Sequence, residues 1–599
     1  MKTRNLIWSM LMVVFYGCSQ QDFLENENKA NLTDETQWAS EGNADIFLND
    51  CYSEIPLKWN FAENLDYYSD DYNISHYYTA SNWRQGICLV PGESTTNEWG
   101  GTHGPTYGYT WASFFTKIRK LNTFIQKVTE NRANFSEDYA NQRIDEARFL
   151  RAFFYSEYFM HVGGLPIITE PLDRNTMSQE ELQRPRATFE ETFLFITNEL
   201  EQVVNNGFLA IKYGKSDPDA GRATLGAALA LKGWIELFAA SPLFNTAAPY
   251  LPDPGRVVHF GNHDPTRWAV AAATNRQFIE RFGAAGPYGL FGDLPNLWRE
   301  ANEYNEEVIW DRQVVANVPG LGSNYERRGG PTYVLGEYMT WGNYNPTQEL
   351  VDQFSMANGL PISAPGSGYD PQNPYVNREK RFYDFIVYDG APYKLDWMPE
   401  EDIIYTRIDL THPNPDRSNQ IDLAGNTDIG DSGYYQKKKL NPDAPPGDDM
   451  SGQNYVFYRY AEVLLNYAEA QNEAFGPDQS VYDAINQVRQ RSDLSALQPG
   501  LSQTQMREVI HRERRVELCF EDKRYFDNKR LAQGPETMGK PRHNMVIRNT
   551  VPSNNSGTWV YNVEVERKYT VRFEPKQYMS PIPQNVIDQN PKITQNPGY

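Results

Sequence analysis

The chain has 599 residues, carries 56 Lys and Arg against 78 Asp and Glu for a net charge of −22, and is 40 % hydrophobic. A single small module is excluded, because one core stops growing near ~250–300 residues, so two domains or one large elaborated one are expected. The negative field excludes general nucleic-acid binding, and 42 Gly and 38 Pro without a period exclude collagen-like and wholly disordered chains.

Lys2 and Arg4 precede an apolar stretch from Leu6 to Phe15, the pattern of a secretory signal peptide and too short to cross a ~30 Å hydrocarbon core. Gly17-Cys18 follows, a small residue and then a cysteine, which predicts removal of residues 1–17 and lipidation of Cys18. The polar stretch 18–36 reads as a flexible tether, and an acyl anchor there would hold an acidic body at a membrane. Cys51, Cys88 and Cys519 show no CxxC spacing, so no zinc site or redox pair is signalled, and three thiols cannot all pair internally.

Helical stripes come next. Trp111, Phe115, Ile118, Leu121, Ile125 and Val128 recur at steps of three or four, as do Ile144, Ala147, Leu150, Phe154 and Tyr158 before the stop at Gly163-Gly164. Thr188 and Glu191 have capping-box spacing ahead of Phe193, Ile196, Leu200 and Val203. Between Gly221 and Pro242, the small residues Gly226, Ala227, Ala230, Gly233 and Ala239 predict a helix that lets a neighbour approach closely. Further helices are expected over Thr266–Phe282, Tyr455–Ala474, Ser480–Arg491 and Thr504–Leu531. The fold class is therefore mostly α: degenerate helical pairs similar to tetratricopeptide hairpins, with long aromatic loops and a small β or irregular excursion.

Two long stretches lack helical period, Asp66–Thr110 and Pro287–Pro346, and both are rich in Tyr, Trp, Asn and Gly. Long loops in a compact protein are usually binding loops, and aromatic content argues against disorder. A pyranose offers an apolar face for a ring and a hydroxyl rim for Asn, Asp or Arg, so Asp71, Asn82, Trp83, Arg84, Asn97 and Trp99 in the first loop and Tyr333, Tyr338, Trp341 and Tyr344 in the second are candidate ligand contacts. The two loops are expected to converge on one platform. A third stretch, Gly359–Asn454, carries short strand-like runs at Phe385–Tyr388 and Ile403–Arg407.

The order of segments carries a resemblance. DFLE (Asp22–Glu25), EARFLRAFFYSEYFMHVGGLPII (Glu146–Ile168), NPTQELVDQFSMANG (Asn345–Gly359), YRYAEVLLNYAEAQNE (Tyr458–Glu473), HRERRVELCFEDKRYFDNKR (His511–Arg530) and PIPQNVIDQNPKITQNPGY (Pro581–Tyr599) together resemble the RagB/SusD family of outer-membrane nutrient-binding lipoproteins. Two departures stand out: His161 replaces an Arg-x-Phe type of sequence before the paired glycines, and the acidic run after the lipid Cys is reduced to Asp22. The resemblance implies a lipid-anchored protein on the outer membrane facing the cell exterior. It also implies a partner, a SusC-like TonB-dependent transporter over which the protein sits as a lid. The ligand would be an oligosaccharide, captured and not cut, with no cofactor or metal; peptide or glycopeptide uptake is the alternative. It divides the chain into 37–330, a helical region with ligand loops, and 331–599, the C-terminal family region.

Enzyme motifs are missing. No P-loop, GxGxxG or GxSxG occurs, and His511-Arg512-Glu513-Arg514-Arg515 lacks the second histidine of a zinc-protease helix. Arg512, Glu513, Arg514, Arg515 and Glu517 read as solvated charge pairs, and Lys437–Lys439 as a solvated strand or loop end. A glycoside hydrolase needs two facing carboxylates, and with 78 acidic residues spacing alone selects none.

Overall fold

The computed structural model describes residues 34–58, 64–74, 80–90, 110–283, 286–421, 430–566 and 570–599. The predicted signal peptide, Cys18, Asn97 and Trp99 lie outside them. Ten helices carry the architecture: α1 (Glu41–Ser53), α2 (Trp111–Glu130), α3 (Glu137–Val162), α4 (Phe189–Asn206), α5 (Leu225–Ala240), α6 (Thr266–Phe278), α7 (Tyr460–Phe475), α8 (Gln479–Arg491), α9 (Gln503–Glu517) and α10 (Arg524–Arg530). Through α7 each helix packs on the next, and α7 carries both α8 and α9, so the fold is a row of helical pairs. None of the described helices is long and apolar enough to cross a membrane.

Local chemistry sets the helix ends. Thr188 and Glu191 form the expected box, with Glu191 N donating to Thr188 Oγ1 at 3.1 Å and Thr188 N to Glu191 Oε2 at 2.8 Å. Gly163 closes α3 at φ +88, where an added Cβ would sit 2.3 Å from the Val257 carbonyl oxygen, so only glycine fits. The small face of α5 works as its composition predicts: a Cβ on Gly233 would come within 2.7 Å of Asn275 on α6. One buried apolar cluster runs from Trp38 to Ile593.

Between α6 and α7 the chain leaves the row. Val308–Arg312 and Tyr455–Arg459 pair antiparallel and close the base of this excursion. Tyr455–Ala474, expected as one helix, therefore begins as a strand, because a partner some 145 residues upstream offers a ladder that local periodicity cannot show. Short antiparallel pairs 333–334/338–339, 386–387/435–436 and 391–393/402–404 follow. Val334, Val387, Tyr393, Met398, Ile404 and Tyr435 form a satellite core beneath them.

Two charge readings are corrected. Lys438 and Lys439 are not solvated: Lys438 Nζ donates to Glu517 O (2.8 Å) and Cys519 O (2.9 Å), and Lys439 Nζ to Phe520 O (2.6 Å). These cations cap the carbonyls at the end of α9, so the helix expected to continue to Leu531 stops at Glu517 and resumes as α10. The charges of α9 are not solvated either. Glu513, Arg514 and Glu517 are buried, and Arg459, on the strand before α7, reaches Glu307 (2.6 Å), Glu517 (2.7 Å) and Glu521 (2.7 Å). Arg381 adds Glu513 (2.6 Å) and Glu379 (2.7 Å), which ties the excursion to the helical row.

Candidate functional site

The two ring-rich loops do converge, but in the interior. Tyr72–Ile74 pairs with Tyr344–Pro346, and the rings of Tyr72 and Tyr344 stack 5.7 Å apart at 8°, with Tyr325 4.8 Å from Tyr344. Tyr344 is buried. Trp83 is buried against Tyr68 at 5.9 Å, Arg84 is buried with its guanidinium donating to Tyr72 O, and Asp71 is buried against Arg515 at 2.6 Å. These four side chains hold the loops to the body and offer no face to a ligand, which corrects their expected role. Asn82 is half-buried in the short helix Ser81–Arg84, its carbonyl accepting from Gln85 N at 3.1 Å.

The second loop divides. Tyr338 meets Trp397 edge-on at 4.8 Å, and Trp341 lies 5.0 Å from each of the Arg327 and Arg328 guanidiniums. Among the described candidates, Tyr333 alone lines a cleft of about 390 Å³ whose other walls come from Gly336, residues 402–420 and Trp559.

At the centre of that cleft Arg407 is sandwiched between two rings, its guanidinium 4.4 Å from Tyr405 and 4.7 Å from Trp559. Asp389, buried beneath, takes Arg407 Nε at 3.0 Å and a second guanidinium nitrogen at 2.5 Å, and also accepts from the Thr406 and Arg407 backbone amides. Burial works against the guanidinium charge, but this pairing outweighs it and raises the pKa above the ordinary Arg value. The rings are thus locked before any ligand arrives, and Tyr405 is 49 % exposed.

The rim is polar and rigid. Asn419 exchanges both amide bonds with the Tyr333 backbone (2.9 and 2.7 Å), and Gln420 does the same with Asp409 (3.1 and 3.0 Å). His412 Nδ1 accepts from Asn414 N at 3.1 Å, which leaves Nε2 as its donor. Asp402 accepts from Leu335 N at 2.6 Å. Burial pushes the Asp409 carboxyl up, but hydrogen bonds from Thr411 and Asn555 outweigh it and hold the group below the usual range. An acid catalyst requires the opposite shift, so Asp409 does not suit that role.

A second cleft of about 550 Å³ has apolar walls of Trp111, Phe115, Ile168, Leu182, Val586 and Ile593. Trp111 is nearly buried, its ring packed on Phe115 and Tyr158, so this cleft presents no stacked ring pair. Among the described residues no group of three His, Cys, Asp or Glu side chains is placed to hold a metal ion.

Neither Tyr405, Arg407 nor Trp559 was among the sequence-derived candidates. They lie about 150 residues apart in segments without a motif, and only the strand-like run at Ile403–Arg407 pointed to the region.

The SusD family model matches residues 306–599, which includes the whole of the cleft. SusD-like protein P25 of Formosa agariphila is 23 % identical over 629 aligned positions, covering 100 % of both chains. Among solved structures, a SusD-like protein from Bacteroides fragilis superposes with a TM-score of 0.73 at 26 % identity, covering 95 % of this chain and 99 % of its own. A SusD-like carbohydrate binding protein from the same species gives a TM-score of 0.70 at 20 % identity over 93 % and 100 % of the two chains. With the matched C-terminal half, the relatives aligned along the full chain and the shared helical fold in agreement, the chain belongs to the SusD family.

Proposed function

We propose that the protein binds oligosaccharide in the cleft between Tyr333, Tyr405 and Trp559. One observation carries the reading: two rings held rigid around a neutralised arginine, inside a rim of amide, imidazole and carboxylate groups. A sugar ring lays its C–H face on such an aromatic surface while its hydroxyls meet the rim, and because the wall is locked in advance little entropy is lost on binding. The carbohydrate-binding description of the Bacteroides fragilis relative is consistent with this chemistry. In the same reading, a lipid on Cys18 holds the protein to the outer membrane, and bound glycan passes to a partner TonB-dependent transporter.

Calorimetric titration of the mature protein with a panel of neutral, acidic and N-acetylated oligosaccharides tests the reading, with Trp559→Ala as the control. At least one glycan should bind, and Trp559→Ala should weaken it. Absence of binding across the panel, or a Trp559→Ala affinity equal to wild type, removes the cleft assignment. Release of reducing ends by the purified protein would replace capture with hydrolysis. Deleting an adjacent transporter should leave glycan binding intact and stop uptake.

A further inference from the structure

The C-terminal hairpin pairs His543–Asn549 with Trp559–Val565 in one unbroken seven-residue register. Thr550 N donates to Thr558 O at its tip and Glu566 N to Arg542 O at its base, so in this antiparallel ladder the even-numbered residues of the second strand bond inward. The backbone groups of Trp559, Tyr561, Val563 and Val565 therefore point away from the first strand, to the outer edge.

The two edges are treated differently. On the first strand, His543 N donates to Glu349 (3.1 Å), Met545 N to Ser432 O (2.8 Å), and Ile547 O accepts from Ile408 N (2.9 Å), so three of its four outward-facing residues are covered. On the second strand, among the described residues, only Tyr561 is covered. Gln372 donates to Tyr561 O at 3.0 Å and accepts from Tyr561 N at 3.2 Å, a side-chain amide standing where a neighbouring strand's peptide group would stand. Beyond it, Val563 and Val565 are 52 % and 47 % exposed, and their outward backbone groups meet no partner among the described residues. The strand, WVYNVEV, has no Lys, Pro or bulge to protect a free edge, and its one charge, Glu564, is paired with Arg548 on the first strand.

We infer that the outer edge at Val563–Val565 is a strand-addition site that takes an extended polypeptide segment of a partner protein, with small apolar side chains alternating along it. The occupied position at Tyr561 shows the chemistry the edge accepts, an amide that both gives and receives a hydrogen bond. A peptide repeats that pair every second residue, about 6.8 Å along the strand, which matches the spacing of Val563 and Val565. A second copy of this chain fits poorly. Antiparallel pairing of two such strands about Glu564 would bring each Gln372 against the other copy's backbone within three residues, whereas a free segment can end at Gln372. The same strand starts at Trp559 in the cleft, so a partner held here lies beside the candidate ligand site without depending on it.

Amide exchange on the full mature chain is the test, with a synthetic heptapeptide of alternating Thr and Val as the probe. In the free protein Val563 and Val565 should exchange quickly while Val560, Asn562 and Glu564 exchange slowly; with saturating peptide the two valine amides should slow by about tenfold. The same peptide N-methylated at every residue should not bind. Val563→Pro removes only an outward N–H and should abolish peptide binding, and Gln372→Ala, which frees the outward pair at Tyr561, should tighten it. Slow exchange of Val563 and Val565 in the free protein, equal binding of the methylated peptide, or unchanged affinity in Gln372→Ala overturns the inference. None of these readouts involves a glycan, so failure here leaves the saccharide reading standing.

Discussion

Glu517 sits where the helical row meets the excursion, fully buried, with Arg459 at 2.7 Å, Arg381 at 3.1 Å and Arg491 also paired to its carboxylate. Burial raises the cost of its charge, but Arg491, Arg459 and Arg381 outweigh that and hold the carboxyl far below the ordinary Glu range. Glu517→Gln keeps the shape and removes the charge, leaving three guanidiniums short of one counter-ion. Breaking one member of a buried ion pair costs ~3–5 kcal/mol, and since Glu307, Glu379, Glu513 and Glu521 remain, the low end, about 3 kcal/mol, is expected. Urea unfolding followed by tryptophan fluorescence measures it, with Trp298 as a local reporter 5.1 Å from Lys438 Nζ and 5.8 Å from the Arg459 guanidinium. The sign with pH is fixed by the depressed pKa. The Glu517 contribution is complete above the ordinary Glu value of 4.5 and is lost as acid protonates the folded-state carboxyl, so the gap between wild type and variant should shrink on acidification. Glu521, held down to about 2 by Arg459 and Lys438 against its burial, places the loss of wild-type stability in the same acid window. A gap below about 1 kcal/mol at neutral pH, the size of an ordinary substitution, or one that widens in acid refutes the reasoning.

Gly233→Ala should lower stability by about 1–2 kcal/mol in thermal melts despite the better helix propensity of Ala, because buried Asn275, bonded to Ala271 O at 2.8 Å, cannot withdraw from the added methyl. Cys51, Cys88 and Cys519 are free and buried, with burial raising the Cys51 thiol to about 12 and the Cys88 thiol to about 11; a thiol reagent at mildly alkaline pH should label none of the three in native protein and all three in urea. Tyr405→Ala should weaken glycan binding about fivefold, the equivalent of ~1 kcal/mol of stacking, with the fold unchanged by circular dichroism. Arg186, whose guanidinium donates to Gly164 O, Val162 O, Thr594 O and Asn596, pins the C-terminal tail; Arg186→Met should speed limited proteolysis near Thr594 without loss of helix content.

What could be read from the sequence divides along the range of the interactions involved. The stripe from Trp111 to Val128, the Thr188–Glu191 box and the small face around Gly233 are fixed by residues within one or two turns, and each forms as its spacing predicts. Lys438 and Lys439 went unrecognised as helix caps because the carbonyls they cap lie about 80 residues later in the chain, and a lysine run looks the same in either setting. The strand at Tyr455 and the break after Glu517 share that cause: a distant partner satisfied backbone groups that local pattern assigned to a helix. In the aromatic loops, composition alone does not tell an inward ring from an outward one. A Tyr or Trp serves a buried stack as readily as a sugar, and pairing of Tyr72–Ile74 with Tyr344–Pro346 turned Tyr344 inward. At the cleft the decisive feature is the position of Asp389, which fixes Arg407 between Tyr405 and Trp559. No one-dimensional spacing encodes that arrangement, because its members come from three strand-and-loop segments: the satellite core holds those around Asp389 and Tyr405, while Trp559 packs against the main core. The residues that shape the site are thus those whose roles depend most on tertiary contact, and rings with an unpaired exposed face are better guides to it than rings clustered in sequence.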